Sequence, residues 1–202
     1  MRPIKATLRI GALAHNLAVA RRHAGASRIW AVAKADAYGH GLQRLLPGLN
    51  GADADGIALL ELDAALGLRN AGYGRPLLML EGWFSVDELE SFSRRHLTAV
   101  VHSAEQLQML ERARLPEPIN IYCKVNTGMN RLGFAPGEAG PALARLRASP
   151  NAGEVTLMTH FADADGARGV AEAMKGVASL GAVDDGLPRS FANSAAILRF
   201  QE

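Results

Sequence analysis

Short apolar runs recur along the chain at 28–33, 56–59, 76–80, 98–102, 119–125, 155–160 and 189–192, with helix-like segments between them. The runs are apolar throughout rather than alternating with polar residues. Strands covered on both faces read this way, so the pattern predicts a parallel sheet. The segments between carry readable helix boundaries. At 12–24, Leu13, Leu17 and Ala20 share one face, and Arg21 and Arg22 form a basic end. Ser85-Val-Asp-Glu88 and Ser103-Ala-Glu-Gln106 match the capping box, and Pro136 opens the segment 137–149. Segments 61–70 and 167–180 run into Gly72 and Gly181, the residue type that ends helices.

A strand–helix repeat builds either an open doubly wound sheet or a β/α barrel. No Gly-x-Gly-x-x-Gly turn follows the first run, so the dinucleotide-binding open sheet lacks its fingerprint. Lys34, His102, Arg131, His160 and Asn193-Ser194 fall at or just beyond the carboxyl ends of separate runs. In a barrel those ends form one rim around one mouth. The expected fold is α/β: a (β/α)8 TIM-type barrel with about seven β/α units. Either the run 6–10 supplies the remaining strand or the chain stops before the barrel closes. Residues 194–202 open a helix that no glycine or proline ends, which favours an incomplete barrel domain over 1–202 without its eighth strand.

Composition narrows the function classes. With 202 residues, 49% of them hydrophobic, the chain suits a globular core rather than disorder. The net charge is +2 and the basic residues are dispersed, so the pI of about 8.9 is poor support for nucleic-acid binding. The single cysteine, Cys123, excludes an internal disulfide and any multi-cysteine metal site, suits a reducing cytoplasm and reads as a core residue. No apolar run reaches membrane-spanning length, and His15 and Asn16 interrupt the first apolar stretch too early for a signal peptide. The histidines lack metal-binding spacing, so no metal is assigned. His40, His102, Asp36, Asp163 and Asp165 are weaker candidates; the aspartates could serve a carbohydrate-active barrel, but nothing else in the chain recruits them.

The strongest chemical candidate is Lys34, in Ala31-Val-Ala-Lys-Ala-Asp-Ala-Tyr-Gly-His-Gly41, where an apolar run meets a glycine-marked turn. An edge lysine that snorkels to water is the ordinary reading. Ala31, Ala33, Ala35 and Ala37 occupy little volume, however, and leave room for something planar. A lysine attacks an aldehyde only as the free amine, which a desolvated or cation-flanked site makes available. Pyridoxal phosphate is the usual aldehyde, and Tyr38 with the Gly39 and Gly41 backbone could supply donors for its phosphate. Arg131 could pair with a carboxylate or phenolate, or close a loop at the surface. His160 ends a strand-like run, and Ser194 could cap a helix or face an anion.

Four segments together resemble bacterial alanine racemase: Ala33-Lys-Ala-Asp-Ala-Tyr-Gly-His-Gly41, Lys124-Val-Asn-Thr-Gly-Met-Asn-Arg-Leu-Gly133, Thr159-His-Phe-Ala162 and Ala192-Asn-Ser-Ala195. The likeness covers essentially the whole chain. It implies a homodimer with an N-terminal β/α barrel, a C-terminal β-domain and pyridoxal 5'-phosphate at the barrel mouth. Lys34 would hold the cofactor as a Schiff base, Tyr38 and Asn193-Ser194 would serve the phosphate, Arg131 would contact the phenolic oxygen and His160 would pack against the ring. Lys124 matches a lysine that is carbamylated in many members and orients that arginine. Asn126 stands where aspartate is frequent.

The implied reaction interconverts L- and D-alanine with two bases, Lys34 on one face and, on the other, a tyrosine from the C-terminal domain of the second subunit. Residues 1–202 contain no such domain, so negligible racemisation by this polypeptide alone is expected. Three other readings stay open: a non-catalytic pyridoxal-phosphate carrier, a racemase for serine, lysine or ornithine, and a cofactor-free barrel. For alanine, the implied context is D-alanine for peptidoglycan or D-alanine breakdown.

Overall fold

In the computed structural model, which describes residues 2–51, 53–181 and 186–200, seven parallel strands are hydrogen-bonded in chain order. They are β1 (Trp30–Val32), β2 (Gly56–Leu59), β3 (Leu77–Met79), β4 (Leu97–Val101), β5 (Ile119–Lys124), β6 (Ala152–Met158) and β7 (Arg189–Ser190). The helices are α1 (Ile10–Ala24), α3 (Leu42–Gly51), α4 (Leu62–Asn70), α5 (Val86–Arg94), α6 (Ala104–Arg112), α7 (Pro136–Ala148), α8 (Ala171–Ala178) and α9 (Ser194–Arg199), with a single turn, α2 (Lys34–Tyr38), between β1 and α3. The sheet curls into an incomplete β/α barrel. Among the described residues β1 pairs only with β2 and β7 only with β6, while α1 and α9 touch across the open side.

Successive residues of a strand point to opposite faces, so each strand contributes to two layers. Ile57, Leu59, Leu77, Met79, Ala99, Val101, Ile121, Cys123 and Leu157 are buried in the main core with helical residues such as Leu68, Phe92, Leu107 and Leu143. Ala58, Leu78 and Val100 face the other way and form a second, smaller cluster with Trp30, Tyr122 and Met158 inside the barrel. The indole N–H of Trp30 donates to the Tyr122 hydroxyl at 3.1 Å, and the rings meet edge to face at 6.0 Å. Gly56, paired with Trp30 across the β1–β2 ladder, leaves the space this indole fills.

Several local expectations change. The 6–10 run is not a strand, because Ile10 already begins α1. β6 starts at Ala152 and stops at Met158, so His160 lies two residues beyond it rather than at its end. β7 covers only Arg189–Ser190, and α8 begins at Ala171. The expected first turn of α8 is replaced by a loop in which the Asp163 carboxylate accepts from the Arg168 backbone N–H at 3.0 Å. The 85–88 capping box is not made: Ser85 caps nothing, and Glu88 accepts from the Phe84 N–H at 2.7 Å, one residue before the cap. At α6, Ser103 accepts from the Gln106 N–H at 3.3 Å, but the Gln106 side chain accepts from the His102 N–H, one residue before the cap. α3, with Pro47 inside it, carries no expectation from the apolar pattern. Residues 201 and 202 of the final expected helix lie outside the described residues.

An added methyl group at Gly56 would meet the Trp30 ring and also stand 2.7 Å from the Pro76 carbonyl oxygen, which is backbone and cannot turn away. Gly56→Ala is expected to destabilise the fold by about 2 kcal/mol, read by chemical denaturation. Unchanged stability would show that the interior cluster is loosely packed.

Candidate active site at the open barrel mouth

The β1 strand ends directly in α2, and α2 is not an ordinary helical turn. Ala35, Asp36, Ala37 and Tyr38 all have φ between 51° and 56°, a left-handed turn built without glycine. Left-handed conformations cost an L-residue roughly 1–2 kcal/mol each, because Cβ approaches the following carbonyl. The turn is held by bonds that offset this: Ala37 N–H to Ala33 O at 3.0 Å, Gly39 N–H to Ala35 O at 2.9 Å and Gly41 N–H to Asp36 O at 2.9 Å. The Asp36 carboxylate accepts from the Leu42 N–H at 2.7 Å, and Glu61 accepts from the Ala35 N–H at 3.3 Å. Asp36 therefore organises the start of α3. The alanines also read differently in three dimensions. Ala33 and Ala37 are buried in the main core, so they do not border vacant space. Tyr38, at the far end of the turn, is 60% exposed.

Opposite this turn, Lys124 ends β5 on the inward face, paired in register with Met158, and is only 8% exposed. Burial is the main force lowering its pKa; the charges of Arg131 and Lys34 lower it further and Glu81 opposes them. His160 is half-buried and is also shifted down, by burial first and then by Lys124, Arg131 and Lys34. His102, at the end of β4, is lowered by burial and by Lys124, against the pull of its ring's hydrogen bond to the Glu81 carbonyl at 3.2 Å. Lys34, Lys124, Arg131 and His160 thus converge on one mouth. The side chains of these four make no hydrogen bond or ion pair among the described residues. Some arginines elsewhere are paired: Arg21 with Asp53 and Asp55, Arg145 with Glu111, and Arg69 with four backbone carbonyls.

Asn193 and Ser194 follow β7. Asn193 rather than Ser194 caps α9, accepting from the Ala196 N–H at 3.0 Å and donating to the Phe161 carbonyl at 2.9 Å. That second bond ties the turn to the residue after His160. Ser194 is the first helical residue and is exposed. Beside His160, the Thr127 and Thr159 hydroxyls bond at 2.7 Å, and Thr159 donates onward to the Val125 carbonyl at 2.9 Å. Among the described residues, no group of three or more histidines, cysteines or carboxylates is arranged for a metal ion. Asp163 is engaged in its own loop with Arg168.

Two mouth residues were missed in the sequence. Glu81 supplies the carboxylate that opposes the cations, and its position just past the 76–80 run is the same rim signal that marks His102. Gln106 donates to the Glu81 and Trp83 carbonyls at 2.6 and 3.1 Å, fixing the loops after β3 and β4; as a helical glutamine it gives no sequence signal of this role.

Known proteins share this architecture and are similar to the chain in sequence. The protein family described as alanine racemase, N-terminal domain, matches residues 8–202. An alanine racemase of Burkholderia mallei (strain SAVP1) is 53% identical over 197 residues, covering 98% of this chain and 54% of the relative. A catabolic alanine racemase of Salmonella typhimurium is 47% identical over 199 residues, covering 98% of this chain and 54% of the relative. The crystal structure of the biosynthetic alanine racemase from Pseudomonas aeruginosa superposes with a TM-score of 0.92 at 37% identity, covering 100% of this chain and 56% of that one. The chain spans about half the length of the curated relatives it matches.

Two outcomes follow from this geometry. Ala35→Gly removes the Cβ from an exposed left-handed position and is expected to raise stability by about 1 kcal/mol in denaturant unfolding. The folded pKa values of His102 and His160 lie below the unfolded value of 6.5, so the unfolded chain binds protons first as the solution is acidified. Stability is therefore fully present above the unfolded pKa and falls as pH drops through the folded ones. His160→Gln is expected to flatten the loss between about pH 7 and about pH 5; an unchanged slope would mean that His160 does not titrate across unfolding.

Proposed function

Because the chain belongs to the family of alanine racemase N-terminal domains, we propose that it forms the cofactor-holding barrel of a pyridoxal-phosphate-dependent racemase that interconverts L- and D-alanine. The observation that carries this reading is the set of basic side chains without hydrogen-bonding partners around Lys34 at one barrel mouth. Such a donor set fits an anionic, aldehyde-bearing cofactor: an amine for the aldehyde, a guanidinium for a phenolate, and hydroxyls at Tyr38 and Ser194 for a phosphate.

When bound, pyridoxal phosphate supplies the electron sink that acidifies the Cα proton of the amino acid. The residues of this chain bind, orient and move a proton around it. Lys34 would hold the cofactor covalently through its Nζ, and as a free amine that Nζ would take or return the Cα proton on one face. Arg131 would hold the phenolic oxygen, and His160, its pKa lowered by burial and nearby cations, would pack against the ring. Asn193, bonded to Phe161, sets the turn that presents Ser194. Lys124, disfavoured as an ammonium, is suited to add carbon dioxide at its amine and release a proton, giving a carbamate anion that orients Arg131. Inversion needs a second base on the opposite face, which we assign to a tyrosine of a C-terminal β-domain in the other subunit of a homodimer. We place the protein in the cytoplasm, a reducing setting that suits a buried Cys123 whose thiol is pushed up to about 12 by burial. No helix among the described residues is long and apolar enough to cross a membrane.

Mixing the protein with pyridoxal phosphate is expected to give a visible absorption band, and borohydride reduction followed by peptide mapping should place the label on Lys34. Lys34→Ala should abolish both. A folded, cofactor-supplied sample with no adduct at Lys34 would overturn the reading. Without the opposing base, residues 1–202 alone are expected to racemise alanine at least about 100-fold more slowly than a form joined to a C-terminal β-domain. Equal rates would remove the two-base assignment.

A further inference from the structure

Arg131 is exposed and its side chain has no hydrogen-bonding partner among the described residues, so its aim depends on the backbone that carries it. That backbone is the loop 126–133, closed at its base where Asn126 N–H donates to Phe134 O and Phe134 N–H donates to Lys124 O, both at 2.9 Å. Gly133 closes it at φ 123°, where an added Cβ would stand 2.7 Å from the Asn126 nitrogen.

Inside the loop, one side chain does most of the ordering. The Asn126 Oδ1 accepts from the Gly128 N–H at 3.1 Å and the Asn130 N–H at 3.0 Å. Those two backbone donors fix which way the amide points. Its Nδ2 therefore faces Asn130 and donates to Asn130 Oδ1 at 2.9 Å. Asn130 is itself left-handed, with φ 56°, and is the residue immediately before Arg131.

We propose that the Asn126–Asn130 side-chain pair is a positioning clip that aims Arg131 at the barrel mouth. The proposal rests on the reading of Arg131 as a contact to the bound cofactor. The pair needs at least one amide donor between its two members. An aspartate at 126 still accepts from both backbone N–H groups, and the Asn130 amide can turn over to donate to it. An aspartate at 130 still accepts from the Asn126 amide. Aspartates at both positions remove every side-chain donor and set two carboxylates against each other.

The test uses the cofactor-loaded protein and compares Asn126→Asp, Asn130→Asp, the double substitution and Arg131→Lys. The readouts are the dissociation constant for pyridoxal phosphate, the position of its visible band and the melting midpoint without cofactor. Each single substitution is expected to bind within about 1.5-fold of the parent, while the double binds about tenfold more weakly, well beyond the product of the singles, because a hydrogen bond is lost and a repulsion gained. Its band should move in the same direction as that of Arg131→Lys, with its cofactor-free melting midpoint close to those of the singles. A double that matches the product of the singles in affinity overturns the clip. So does a double whose weaker binding comes with a lowered melting midpoint and an unmoved band. If Arg131→Lys leaves both the affinity and the band unchanged, the cofactor contact of Arg131 is wrong, and the clip as an aiming device falls with it.

Discussion

The two-residue repeat of β5, locked in register between β4 and β6, is the constraint on which the mouth depends. Val100 pairs with Tyr122, and Lys124 pairs with Met158, so both β5 side chains face the barrel interior. Ile119, Ile121 and Cys123 lie on the opposite face of the strand, in the core under the helices. A slip of one residue would bury Lys124 in that apolar layer and bring Cys123 to the mouth. The Trp30–Tyr122 pair fills the interior below, and Lys124 stands next along the strand as the first charged residue above it. The floor of the barrel and the reactive end of the barrel are set by the same register.

The second condition is local strain after β1. Four consecutive non-glycine residues in the left-handed region would not persist as an isolated peptide. They persist because Glu61 accepts the Ala35 N–H, Asp36 ties the turn to the Leu42 N–H at the start of α3, and Ala33 and Ala37 are anchored in the core. Strain of this kind tends to survive where it presents a functional group. Here it separates Lys34 from Tyr38 by one tight turn and leaves Tyr38 facing out. Alanine suits the turn for a steric reason: it is the smallest residue with a Cβ, so it endures the conformation without adding a side chain that must be placed.

The electrostatics of the mouth follow from both. Burial strips hydration from these groups, and neighbouring cations repel added charge, which is why Lys124 and His160 resist protonation. An anion at the mouth would relieve that cost. Several arginines away from it stitch loops and helices together, as Arg21 does between α1 and the segment before β2. Arg131 stands on a loop ordered by Asn126, and its guanidinium has no hydrogen-bonding partner among the described residues.

Periodicity and motif spacing determined much of this protein without coordinates. Apolar runs long enough to be strands, separated by segments long enough to be helices, leave few alternatives to a parallel β/α fold. The rim positions of Lys34, Arg131 and His160 follow from the ends of those runs. Local signals were weaker where a tertiary partner intervened. Glu88 and Gln106 reach past their cap residues to Phe84 and His102, and the α8 start yields to the Asp163–Arg168 turn. The left-handed turn was illegible, since no sequence rule predicts four L-residues in that region; only the bonds that surround it stabilise it. Nor could spacing show that Glu81 faces Lys124, or that Asn126 orders Arg131's loop. Those relations depend on which residues the curled sheet and its closed loops bring within a few ångströms, and distance in space is a property of the tertiary structure alone.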